Sequence, residues 1–302
     1  MKQDSPASLR RKIGSAGDLQ SVVRAMKAQA AASVGQYERS VAALGDYARS
    51  VELGLGVCFR MEALHLVPVT PAPKAAVGVR AIVFGSDQGL VGRFNDLVVD
   101  HARASLARMP APAQVWAVGE RVHASLLDTD MPLLGVFAVP DSVQAIAALV
   151  DEILLTVLEE SFGTERRETA AEVHLFYNRP GAGSTFAPVG QRLLPLDDEW
   201  RRRLAQQPWP TAMLAETLGD PTATLRALIR EYLFVSLFRA CAESLASENA
   251  SRLAAMDRAD RNIDEMLGTL GDALHRLRQA RIDEELSDVI SGFKALRDQV
   301  DT

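Results

Sequence analysis

The placement of proline constrains this chain more than any other feature. All fourteen prolines lie between Pro6 and Pro221, which leaves residues 7–67 and 222–302 empty of them. A proline inside a helix removes a hydrogen bond and clashes with the preceding turn, at a cost of about 3 kcal/mol. Two long proline-free ends around a proline-dotted middle therefore predict two long terminal helices enclosing a compact insert. At about 1.5 Å per residue the ends could reach roughly 90 and 120 Å. Helices of globular proteins average only about 11–12 residues.

The apolar spacing agrees. Leu9, Ile13, Ala16, Leu19, Val23, Met26, Ala30, Val34, Tyr37, Val41, Leu44, Ala48, Val51 and Leu55 step by threes and fours. Ile263, Leu267, Leu270, Leu274 and Leu277 do the same, and after a one-residue slip so do Ile282, Leu286, Val289, Phe293, Leu296 and Val300. A narrow stripe sustained over so many turns is a coiled-coil seam, and the slip after Leu277 predicts a local disturbance of the supercoil. Residues 9–65 hold eight Lys/Arg against five Asp/Glu, and residues 241–302 hold eight against thirteen, an opposite bias that suits two helices lying together. Six glycines, Gly14, Gly17, Gly35, Gly45, Gly54 and Gly56, interrupt the front helix. Each costs about 1 kcal/mol relative to Ala, so they either admit close neighbours or let the helix fray, and fraying is the expectation for Gly54 and Gly56.

The insert begins with a stiff connector, Pro68 to Lys74. Val77–Phe84 reads as a strand covered on both faces, followed by a glycine-rich turn and a helix to about Arg108. Gln114–Val118 and Leu133–Val139 read as strands with a helix, Glu120–Leu127, between them. Ser142–Ser161 reads as a helix capped by Asp141 or Ser142, Ala171–Tyr177 as a fourth strand, and Val189–Leu194 as a fifth. Helical pattern resumes after Pro210, with Asp220-Pro221 breaking it before the final helix. The expectation is a largely parallel, doubly wound, Rossmann-like α/β domain over 68–211, set between coiled-coil helices over 1–67 and 212–302.

Chemistry is thin. Gly85, Gly89 and Gly92 match neither the dinucleotide fingerprint nor a phosphate loop, so they read as a tight strand-to-helix turn. His65, His101, His123, His174 and His275 show no metal-ligand spacing, and His174 reads as a polar-face strand residue. Asp197-Asp198-Glu199 reads as a solvated loop. Cys58 and Cys241 read as buried, reduced thiols. No catalytic set, metal site or cofactor is expected. A net charge of −6 and a pI of about 5.5 provide no basic field for nucleic acid. No apolar run approaches the roughly 20 residues needed to span a bilayer, and the first residues lack a signal peptide's apolar core. From the residues alone, a small-molecule enzyme built on the insert and a coiled-coil scaffold both stay open.

Four ordered patches carry a resemblance. Ser86-Asp87-Gln88-Gly89-Leu90-Val91-Gly92-Arg93-Phe94-Asn95 resembles Ser-Asp-Arg-Gly-Leu-Cys-Gly-Gly-Phe-Asn of the gamma subunit of F-type ATP synthase. Residues 246–256, Ala-Ser-Glu-Asn-Ala-Ser-Arg-Leu-Ala-Ala-Met, are similar to that family's Ala-Ser-Glu-Gln-Ala-Ser-Arg-Met-Ala-Ala-Met. Arg278-Gln279-Ala280-Arg281-Ile282-Asp283-Glu284-Glu285-Leu286 resembles its Arg-Gln-Ala-x-Ile-Thr-x-Glu-Leu. Ala25-Met26-Lys27 and Ala30-Ala31-Ala32 fall where the family has Lys-Ala-Met and an alanine-rich run.

The resemblance implies a non-catalytic central rotor stalk coupling ion-driven rotation of the c-ring to ATP synthesis or hydrolysis in an alpha/beta hexamer. It implies alpha, beta and epsilon subunits and the c-ring as partners, no cofactor, and a peripheral place at the cytoplasmic face of a bacterial inner membrane. By the same resemblance, Arg278 and Gln279 would catch a loop of the beta subunit, with Met26 and Lys27 nearby on the partner helix and Asp283 altering the grip. Leu274, Leu277, Ile282, Leu286 and Val289 would form the seam. Departures mark a divergent, alternative bacterial form. Asp18-Leu19-Gln20-Ser21-Val22-Val23 replaces Asn-Thr-x-Lys-Ile-Thr, Asp283 replaces Thr, and Thr217-Leu218 replaces the ring-contacting Tyr-Glu.

Overall fold

A computed structural model describes residues 5–63, 78–109, 111–158, 172–181, 186–213, 215–217 and 219–300. Helix α1 runs Pro6–Ala63 and the last helix, α6, runs Pro221–Val300, 58 and 80 residues long. Both start the same way. The Ser5 hydroxyl accepts from the Ser8 N–H ahead of Pro6, and the Asp220 carboxylate accepts from Thr222 and Ala223 ahead of Pro221. An oxygen-bearing cap followed by proline at the first helical position supplies an acceptor and a preset φ. The two prolines that bound the pattern are helix starters. Helical structure does not resume at 211 as expected, since residues 211–213 are bends and 215–217 are irregular.

The described residues divide into two compact units, one within Ala30–Arg252 and one formed by those before Ala30 with those after Arg252. The first holds one five-stranded sheet of β1 (Val79–Phe84), β2 (Ala113–Val118), β3 (Leu133–Phe137), β4 (Glu172–Pro180) and β5 (Phe186–Leu194). Strand order is β3-β2-β1-β4-β5. The first four are parallel, and β5 is antiparallel to β4 at the edge. Helices α2 (Phe94–Leu106) and α3 (Glu120–Leu127) cover one face, where Val98, Ala102, Val122 and Leu126 meet Ala81, Val83, Val115 and Ala117. Helix α4 (Val143–Ile153) covers the other together with Tyr37 of α1 and Leu233–Ala246 of α6. Burial on both faces explains the near-continuous apolar run of β1.

The expected doubly wound insert is thus present, with refined edges. Ser142 caps α4 as expected, but the α-helix ends at Ile153 and passes into a π-helical turn, Leu154–Leu158. The connector 68–74, Val77, His65, residues 159–161 and Ala171 lie outside the described residues. Asp197-Asp198-Glu199 is not a loop. Asp197 caps α5 (Asp198–Gln206) by accepting from the Trp200 N–H, and the two acids occupy the first turn, where the helix dipole favours them. Helix α5 packs Leu204 and Trp200 onto Leu55, Phe59, Leu225 and Tyr232.

That packing corrects the expectation of fraying near Gly54 and Gly56. A Cβ on Gly56 would stand 2.6 Å from the Leu204 carbonyl oxygen, and one on Gly54 would stand 3.1 Å from Leu228. Here the glycines admit close neighbours. Arg60, one turn on, donates to the carbonyls of Ala205 and Gln207 and ties down the end of α5.

His174 is buried rather than on a polar face. It stacks on Phe176, its Nε2 lies 3.1 Å from Glu172, and Arg192 also bears on it. Burial pushes its pKa below the usual 6.5, with Glu172 opposing. A histidine depressed in the native state leaves the unfolded chain binding more protons, so stability holds above about pH 6.5 and declines as pH falls through it. The urea midpoint should therefore be flat above pH 7 and fall below about 6.5, and His174→Gln should remove that part of the slope.

Candidate functional site

In the unit that joins the first part of α1, to Gln29, with α6 from Leu253 on, the two helices pair antiparallel through a small apolar cluster flanked by ion pairs. The cluster is Ala16, Val23, Met256 and Ile263, with Met26, Ala255, Ala259 and Leu267 beside them. Arg24 Nε lies 3.0 Å from Asp260, and Lys27 Nζ lies 2.5 Å from Asp257 and 4.0 Å from Asp260. Gln20 Nε2 donates to both Asp260 and Asp264. The hydrogen bond from Lys27 holds the Asp257 carboxyl below its usual pKa, and Arg261 adds to this from the next turn of α6.

On α1 the seam differs from the expected stripe at Leu19. Leu19 is 55 % exposed and Val22 also faces out, whereas Gln20 is only 9 % exposed. Buried positions on this part of α1 recur every seventh residue, at Leu9, Ala16 and Val23. Gln20 occupies the second seam position, where an apolar residue would be the default.

The pairing also decides which site residues meet. With Lys27 facing Asp257 and Gln20 facing Asp264, the register places Pro6 opposite about Arg278. Asp257 and Arg278 are 21 positions apart on the helix, or about 30 Å. Met26 and Lys27 are therefore not beside Arg278 and Gln279. Met26 packs in the apolar cluster and Lys27 is engaged by Asp257, while Arg278, Gln279 and Asp283 are exposed on α6. Leu274 and Leu277 are half-buried against the pair, but Ile282, Leu286 and Val289 are exposed, Val289 to 70 %. They lie past the level where the described α1 begins, so nothing described in this chain covers them. Phe293, Leu296 and Val300 lie beyond the described side chains.

In the unit Ala30–Arg252, the two most distinctive sequence patches dock on each other. The Ser86 N–H donates to Asn95 Oδ1, and Asn95 Nδ2 donates to Ser86 Oγ, which closes the turn after β1. The Asp87 carboxylate accepts from the N–H groups of Glu120 and Val139, at the start of α3 and just past β3. Ser251 Oγ donates to the Val91 carbonyl, Ser247 Oγ to the Asn178 carbonyl, and Asn178 Nδ2 to the Phe94 carbonyl. Gly85 is hemmed by Val122 and Asn95, and Gly92 has φ +59°, so two of the turn's three glycines are required. Glu248 and Arg252 form a buried ion pair at 2.6 Å. Burial raises the Glu248 pKa and Arg252 opposes it.

Sequence reasoning found these patches as motifs without their geometry. It missed Gln20, Asp257, Asp260 and Asp264, although a signal was present. Gln20, Arg24 and Lys27 are spaced four and three apart, and Asp257, Asp260 and Asp264 three and four apart, so each set lies on one helical face with complementary chemistry.

A Rossmann-like sheet inserted in the chain between two long terminal helices defines the class of α/β protein. Residues 5–296 match the family model described as ATP synthase, and the chain belongs to that family. It is 27 % identical to the ATP synthase gamma chain of Moorella thermoacetica and 29 % identical to that of Nostoc punctiforme, covering 96 % of this chain and 98 % of the relative in both cases. Among solved structures it is similar to the rotor of the Euglena gracilis mitochondrial ATP synthase, at a TM-score of 0.60 and 15 % identity, over 92 % of this chain and 98 % of that one. It is also similar to the central stalk of the Tetrahymena thermophila enzyme, at 0.56 and 22 %, over 79 % and 99 %. These likenesses carry the fold.

Proposed function

We propose that this chain is the central rotor stalk, the gamma subunit, of an F-type ATP synthase or ATPase. In this role it does no chemistry itself and couples c-ring rotation to ATP synthesis or hydrolysis in an alpha/beta hexamer. The observation that carries this reading is the antiparallel helix pair whose longer member runs on past the described start of α1 with apolar side chains exposed. Ile282, Leu286, Val289 and Ile290 are exposed along it, and a stripe of that size on a single helix calls for an apolar sleeve. Alpha and beta subunits would supply the sleeve. The α/β domain, taken as 68–211 between helical parts 1–67 and 212–302, would sit against the epsilon subunit and c-ring. With no described helix long and apolar enough to cross a membrane, attachment at the cytoplasmic face of a bacterial inner membrane would be peripheral, through those partners.

Arg278 and Gln279 are the residues we assign to gripping the beta subunit, with Asp283 tuning that grip. Arg278 is exposed, permanently charged and able to form forked hydrogen bonds to a carboxylate. Torque then arises from differential contact with the catalytic sites' conformations. Arg278→Glu should reduce ATP-driven ion pumping in vesicles at least several-fold while the complex still assembles. Unchanged pumping would remove the assignment. A scaffold without rotary function predicts a chain that purifies alone or as a homo-oligomer. A rotor should co-purify with alpha, beta and epsilon subunits and ATPase activity.

A further inference from the structure

The polar ladder between the shaft helices has a geometric consequence beyond its ion pairs. Alanines 16, 255 and 259 form much of the apolar contact, and small apolar surfaces resist sliding weakly because little buried area changes. Just beyond them, Gly14 and Gly17 on α1 and Gly268 and Gly271 on α6 would meet nothing within 4 Å if given a Cβ. Close packing does not pin either backbone there, and glycine weakens both helices.

The directional groups lie next to this compliant stretch. The Gln20 amide carries two N–H donors and meets two carboxylate acceptors, Asp260 at 3.2 Å and Asp264. It is nearly buried, so losing its acceptors would strand a desolvated donor. Moving α6 by one heptad in one sense would set Leu267 and Gly271 against Gln20 and Arg24 and take both carboxylates away. In the other sense Leu253 and Asp257 would face them, leaving one carboxylate where there are two. A single polar seam residue of this kind fixes register at the expense of apolar packing.

We infer that Gln20, together with Asp260 and Asp264, is the positioning device that fixes the register and spacing of the two shaft helices. This property belongs to the chain itself and stands or falls independently of rotary function.

The test is a spin-label distance measurement on the full chain, with labels on Ser15→Cys and Thr269→Cys in a Cys58→Ala/Cys241→Ala background. Both label sites are exposed. The parent should give one narrow distance peak. Gln20→Leu should at least double its width while Tm stays level or rises, since an apolar seam residue replaces a polar one. Gln20→Lys, whose ammonium reaches the same carboxylates, should restore the narrow peak. An unchanged width in Gln20→Leu would overturn the inference. So would broadening with a Tm loss of several degrees, the mark of an ordinary stabilising contact, or failure of Gln20→Lys to restore the peak. Should Gln20→Leu not fold, Asp260→Ser/Asp264→Ser removes the acceptors instead, and a narrow or broad peak decides in the same way.

Discussion

Gly119→Ala is expected to lower the stability of the chain by about 3–5 kcal/mol, the largest single-residue effect anticipated. Gly119 sits between β2 and α3 with φ +116°, and an added Cβ would stand 2.7 Å from the Ser86 carbonyl oxygen and 2.8 Å from its carbon. The backbone strain alone is worth about 1–3 kcal/mol and the forced separation a similar amount. Neither neighbour can yield cheaply. The Gly119 N–H is bonded to Phe137, and the Ser86 carbonyl accepts from Arg121. Urea denaturation followed by circular dichroism checks this, with the midpoint falling sharply or no folded protein recovered. Gly17→Ala is the matching control. It lies in a helix with nothing within 4 Å, so the same change there should gain up to about 1 kcal/mol.

Ile282→Pro should do the opposite: leave stability almost untouched and abolish most coupling. Ile282 is half exposed on α6 and belongs to no apolar cluster among the described residues. A proline there removes a helical hydrogen bond and kinks the axis, at about 3 kcal/mol of local helix stability. The sheet core lies in a different unit and loses no contact, so its thermal transition should be unmoved. Everything beyond the kink would leave the rotation axis. In reconstituted vesicles ATP-driven pumping should fall at least ten-fold, with subunit composition unchanged on gel filtration.

The long-range plan was legible because its signals are strong and local. Proline exclusion and a three-four apolar step mark long helices without reference to anything else in the chain, and a run such as Val79–Phe84 marks a strand covered on both faces. The two serine-bearing patches were visible as motifs, but their meeting across 160 residues, Ser251 onto Val91, is a tertiary fact that no local pattern encodes. Leu19 was assigned to the seam because it is apolar. The pair instead places Gln20 there, since two carboxylates on α6 satisfy its amide. Helix α5 was lost because its acidic first turn looks solvated, and capping by Asp197 shows only once the backbone turns. Met26 and Lys27 were grouped with Arg278 by family likeness, and the antiparallel register, unreadable from either helix alone, separates them.

The most direct test is single-molecule rotation. The chain would be assembled with its host's alpha and beta subunits, the hexamer fixed to a surface, and a bead attached through Asp130→Cys, an exposed position between α3 and β3. Stepwise turning of the bead in one direction on addition of ATP is the expected result. A complex that hydrolyses ATP while the bead only jitters, or failure of the chain to join the hexamer, would contradict the account.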